Sequence, residues 1–83
     1  MNHNRQVYLF LQLIKKRTTL VNKVLENKKF KKDIIDNKRI AIILKTIKSK
    51  SKKKKIDPLI TKIIWKSMIR AYINYEYRNF KKK

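Results

Sequence analysis

Few side chains in this sequence could do chemistry. Its one histidine, His3, stands near the N-terminus, and five acids are scattered over 83 residues. Cysteine and glycine are absent altogether. A Ser–His–Asp triad, a histidine or thiolate metal site and a carboxylate metal cluster are all argued against. His3 reads instead as an exposed polar residue. Without glycine, neither a Walker loop nor a dinucleotide fingerprint can be written. Cations, hydroxyls and two or three carboxylates remain. These suit stabilisation of charge in a small anion rather than nucleophilic catalysis.

Their spacing sharpens that reading. Arg17 and Lys28 are eleven positions apart, which returns to within ~20° of one helix face at ~16 Å of rise. Val21 and Val24 lie between them, so an apolar stripe carries a cation at each end. Asp36 and Arg39 are one turn apart, and Tyr72 and Glu76 are an i,i+4 pair on a stripe that should be buried. Each pair has a plainer reading. Arg17 and Lys28 can be a snorkelling boundary pair, Asp36 an N-cap, and Glu76 a surface acid in a basic field.

Three helices must position these residues. The first is expected over about 4–30, where Val7, Phe10, Leu11, Ile14, Val21, Val24 and Leu25 recur at three- and four-residue steps. A helix of ~40 Å is long for a chain this short and implies pairing with a second chain. The second is expected over 36–49 and begins at Asp36. Residues 50–56 read as a lysine-rich, self-repelling connector. Asp57-Pro58 is the sharpest local signal, an N-cap followed by proline at the first helical position. It opens a third helix over 58–80, with Ile60, Ile63, Ile64, Met68, Ala71, Tyr72 and Tyr75 as its stripe. The C-terminal lysines suit the negative end of that helix and should fray. One all-α domain over 1–83 is the reading.

Composition sets the partners. Twenty-five Lys+Arg against five Asp+Glu give +20, a balance that favours polyanions or small dianions. Lysine, isoleucine and asparagine make up 40 of the 83 residues, and all three have A/T-rich codons, so many lysines read as neutral surface substitutions. Residues 7–14 form the longest apolar stretch, far short of the ~20 residues a membrane span needs. Lysines follow it where a signal-peptide cleavage site should be. No membrane partner is expected, and the absence of cysteine suits the cytoplasm.

Taken in order, these residues resemble the all-helical type II chorismate mutases and their relative isochorismate pyruvate lyase. The match runs from Arg17, Leu20, Val24 and Lys28 through Asp36 and Arg39. It continues from Asp57-Pro58 into Trp65, Met68, Ile69, Tyr72 and Glu76. It spans about residues 7–80 without a gap against the lyase branch, and its order and spacing are more specific than any single motif.

The resemblance implies an intertwined homodimer with two sites built from both chains, and an isomerase of aromatic amino-acid biosynthesis that needs no cofactor or metal. Chorismate, a small dianion, would rearrange to prephenate in one pericyclic step. By position, Lys28 and Glu76 would be the catalytic pair at the ether oxygen. Arg17 would bind a carboxylate, Asp36 and Arg39 would lie near the substrate hydroxyl and a carboxylate, and Tyr72 would complete the substrate-binding set. Two positions depart from the family. Ile40 replaces a glutamate that contacts the substrate hydroxyl, as in the lyase branch. The arginine that the first helix donates across the dimer would fall just before Met1. Arg5 points ~140° away from that position, and Asn4 faces better but is neutral. Activity is expected to be weak for that reason.

Two other readings stand beside it. Arg70, Tyr72, Tyr75, Tyr77, Arg78, Phe80 and the terminal lysines mix aromatic and basic groups as a nucleic-acid-binding helical protein would, although those aromatics largely follow the buried stripe. A membrane-surface role is weaker, because three segments can bury their apolar faces in one another.

Overall fold

The computed structural model describes residues 3–81. Helix α1 spans His3–Glu26, a short 3₁₀ turn spans Lys31–Ile34, and α2 and α3 span Asn37–Lys53 and Pro58–Asn79. The expected all-α class with three helices is what forms, with no strand among the described residues. Met1, Asn2, Lys82 and Lys83 lie outside the described residues, as does the side chain of His3. The expectations of a fraying C-terminus and an exposed His3 fall largely there.

Helix α1 is shorter than its periodicity predicts, ending at Glu26 rather than near residue 30. The last turn tightens. The Asn27 and Lys28 amides bond the Val24 and Leu25 carbonyls, each at 3.1 Å, a 3₁₀ pattern common at helix ends. Asn27 Nδ2 also donates to the Lys23 carbonyl at 3.3 Å, satisfying an acceptor that the helix end leaves open. Lys28 is therefore beyond the helix, and the eleven-residue helical spacing from Arg17 does not place it.

Helix α2 differs in the other direction. Asp36 caps it as expected, its Oδ1 accepting from the Arg39 amide at 3.1 Å. The helix then continues through Lys53, taking in half of the expected 50–56 connector. Ser51 is the reason. It is buried among the lysines, its Oγ 2.6 Å from the Ile47 carbonyl and 2.7 Å from Thr61 Oγ1 on α3. Lysine is a good helix former and is favoured at a helix C-terminus, so this one polar fastening suffices to hold the last turn. The chain then reverses at Lys55, whose φ of 57° is left-handed. The Ile56 amide reaches the Ser51 carbonyl at 2.9 Å and the Lys55 amide that of Lys52 at 3.2 Å. That is a Schellman cap built without glycine, at a steric cost of about 1–2 kcal/mol.

Asp57 and Pro58 open α3 as predicted, with Asp57 Oδ1 accepting from the Leu59 amide at 2.9 Å. Helices α2 and α3 form the main hairpin, and α1 leans on α3. The result is a slab of 46 × 30 × 15 Å with a radius of gyration of 14.9 Å, against roughly 12 Å for a compact chain of this length. Leu25 and Ile34 are the buried apolar side chains. Phe10 and Leu11 on α1, and Ile60 and Ile63 on α3, are all more than half exposed. The two expected stripes exist, but within one chain only parts of them are covered. Among the described residues no helix is long and apolar enough to cross a membrane.

Candidate active site

Where α1, the 3₁₀ turn, α2 and α3 converge, they leave a cavity of about 310 Å³. All six residues singled out by type and spacing line it: Arg17, Lys28, Asp36, Arg39, Tyr72 and Glu76. Leu20, Val21, Val24, Ile34, Ile40, Ile43, Ile69 and Ile73 form its apolar walls. Small-ligand sites have this make-up, with an apolar body and a few convergent polar groups.

The deepest polar pair is Lys28 with Glu76. Lys28 Nζ donates to Glu76 Oε1 at 3.3 Å, and Glu76 is 7 % exposed. The tightened turn after α1 carries the ammonium there, and Glu76 projects from α3 one helical turn after Tyr72. Asp36 is held by its capping bond, which leaves its second carboxylate oxygen for a ligand. Arg39, four positions into the same segment, stands exposed at the rim.

Arg17 and Tyr72 meet face to edge of the cavity. The guanidinium carbon lies 5.9 Å from the centroid of the Tyr72 ring, within the range of a cation–π contact. The Tyr72 hydroxyl does not point at the cavity's cations. It lies 2.8 Å from Thr18 Oγ1 and 3.1 Å from the Ile14 carbonyl, both on α1. Tyr75 stacks edge-on against Tyr72 at 6.3 Å, and its hydroxyl donates to Asn22 Oδ1 at 2.9 Å.

Two residues of the site were not evident from spacing. Asp33 in the 3₁₀ turn joins the lining; its one signal is that it is an acid directly after two lysines. The cavity thus carries three cations and three carboxylates, the upper end of the two or three carboxylates expected. Thr18 is the other, and being next to Arg17 was its only mark. The basic-aromatic mixture of α3 is likewise divided by the fold, since Tyr72 and Tyr75 are half-buried and bonded to α1. Among the described residues no group of His, Cys, Asp or Glu could hold a metal ion.

A site of this kind can bind a small dianion, hold it against apolar walls and stabilise charge that develops near Lys28. A family model described as chorismate mutase type II matches residues 9–77, which include all six of these residues. Neither the curated proteins nor the solved structures gave a match.

Proposed function

This chain belongs to the type II chorismate mutase family, and from that premise we propose that it converts chorismate to prephenate in a cavity shared within a homodimer. The observation that carries the proposal is the Lys28–Glu76 pair, 3.3 Å apart and nearly buried, beside Arg17 and Arg39. The rearrangement breaks one C–O bond and forms one C–C bond within a single molecule. It needs no nucleophile, no proton transfer to carbon and no cofactor. The protein's work is to hold the compact conformer and to meet the charge that builds on the ether oxygen.

The residues divide that work by their chemistry. Arg17 and Arg39 offer planar donor forks for the two carboxylates. Asp36, with one oxygen spent on its cap, has the other to accept from the substrate hydroxyl. Lys28 carries three N–H donors, so it can keep its bond to Glu76 and direct another at the ether oxygen. Glu76 can contribute a second donor there only when protonated.

Chorismate and isochorismate, supplied separately, test this reading against its neighbour. Prephenate from chorismate is the expected result. Pyruvate from isochorismate alone would instead make the chain a lyase, a possibility that Ile40 on the cavity wall keeps in view. Turnover of neither by a folded sample would overturn both. A polynucleotide-binding role finds less support, because the tyrosines it would use are bonded to α1.

The dimer follows from uncovered surface. Val7, Phe10 and Leu11 along α1 and Ile60 and Ile63 along α3 expose more than half their area, and burying such side chains is worth about 1.5–3 kcal/mol each. A second copy, with α1 paired to α1, covers faces that one thin slab cannot. Light scattering at micromolar concentration should give twice the chain mass. Added salt should firm the dimer, because it screens the +20 self-repulsion of each chain. A folded monomer under those conditions would count against the assembly.

A further inference from the structure

We infer that Tyr72 is a positioning residue: its hydroxyl is pinned to α1 by Thr18 and the Ile14 carbonyl, and its ring thereby fixes Arg17 at the cavity edge. The inference rests on the proposed function for its kinetic arm and on geometry alone for its structural one.

Proton counting decides what the hydroxyl can do. Three oxygens form a closed triangle: Tyr72 Oη to Thr18 Oγ1 at 2.8 Å, Tyr72 Oη to the Ile14 carbonyl at 3.1 Å, and Thr18 Oγ1 to the same carbonyl at 2.9 Å. The carbonyl brings no proton, and the two hydroxyls bring one each. Two protons make at most two of the three contacts at any moment, and each such arrangement spends both protons inside the triangle. Tyr72 can donate to a substrate carboxylate only by giving up its donated bond to α1, with Thr18 left as the donor that holds it. The substrate-binding role that the resemblance implies for Tyr72 would compete with the bonds its hydroxyl makes to α1.

The ring is what remains to act on the site. It is held at both ends, by the triangle at its hydroxyl and by the edge-on Tyr75 ring at 6.3 Å and 77°. Tyr75 is itself tied to Asn22 on α1. Thr18 and Asn22 are one turn apart, so two successive turns of α1 anchor two rings of α3. Arg17, the neighbour of Thr18, lays its guanidinium over the first of those rings. An exposed arginine has many rotamers, and each must be given up when a ligand is clamped. A ring fixed beneath it removes part of that loss before the ligand arrives.

The experiment pairs a substrate-free readout with a kinetic one. In the folded protein, the Arg17 side-chain protons should show ring-current shifts by NMR. Tyr72→Leu should abolish those shifts. Tyr72→Phe removes both bonds to α1 and Thr18→Val one of them, so both should reduce the shifts, the first more, and Thr18→Ser should preserve them. For chorismate, Tyr72→Phe and Thr18→Val should each raise KM about two- to tenfold, the worth of one hydrogen bond, with kcat near the wild-type value. The double variant should be no worse than Tyr72→Phe alone, since both changes act on the same triangle.

Unchanged Arg17 shifts in both Tyr72→Phe and Thr18→Val would overturn the positioning role. So would a fall in kcat on Tyr72→Phe that Thr18→Val does not reproduce, because a hydroxyl acting directly on the substrate predicts that split. A wild-type protein inert towards chorismate but showing the ring-current pattern would sink the proposed reaction and leave the positioning role standing.

Discussion

Lys28→Ala should lower kcat about 10²- to 10³-fold, the usual loss when one preorganised donor to a developing negative charge is removed. The same change strands the Glu76 carboxylate, which is 7 % exposed and bonded to Lys28, so stability will fall too. Lys28→Ala with Glu76→Gln separates the two effects. The double variant should regain stability, because the buried charge is gone, and should remain slow, because the ammonium is still missing. Arg17→Ala should act differently, raising KM more than it lowers kcat, as loss of a carboxylate contact made in both ground and transition states does. Neutralising Lys52, Lys53, Lys54 and Lys55 with glutamine provides the contrast. They lie at the far end of α2, outside the cavity. They should affect only the association rate, and that mainly at low salt. If the glutamine variant loses turnover while Lys28→Ala keeps it, the site has been misplaced. Polynucleotide binding would give that reverse order, with affinity falling steeply in salt.

The pH profile of Glu76→Gln is the second large effect. As a carboxylate Glu76 can only accept, which is what it does with Lys28. As a neutral acid it can donate to an ether oxygen. If donation by Glu76 matters, kcat/KM for the wild-type protein should rise as pH falls. Glutamine has the same shape and donates at any pH, so the variant's profile should be flat on that side and its rate near neutrality equal or higher. Measured on a confirmed dimer, a profile identical to wild type would return Glu76 to the role of charge balance for Lys28.

What the sequence determined by itself was whatever a single turn of chain can decide. Asp36 and Asp57-Pro58 start α2 and α3 where their capping chemistry says, because an N-cap bonds an amide two or three residues on. The apolar stripes determined that three helices form. The expected length of the first helix implied pairing with a second chain, and in one chain parts of the stripes stay exposed. The six candidate residues line one cavity, and it was the family resemblance of their order and spacing, not helical faces alone, that grouped them. Partnership across the chain was not legible, because it joins residues about fifty positions apart and depends on how helices cross. Only the tertiary structure decided that Lys28 would reach Glu76 from beyond the end of α1, through two i→i−3 bonds instead of a helical face. It alone buried Ser51 against Thr61, which turned the first half of an expected charged connector into one more turn of helix. It also brought Asp33 to the cavity and turned the Tyr72 hydroxyl to Thr18. The physical reason is common to all four. A side chain's type sets which bonds it can make, while the packing of helices against one another sets which of those partners comes within reach.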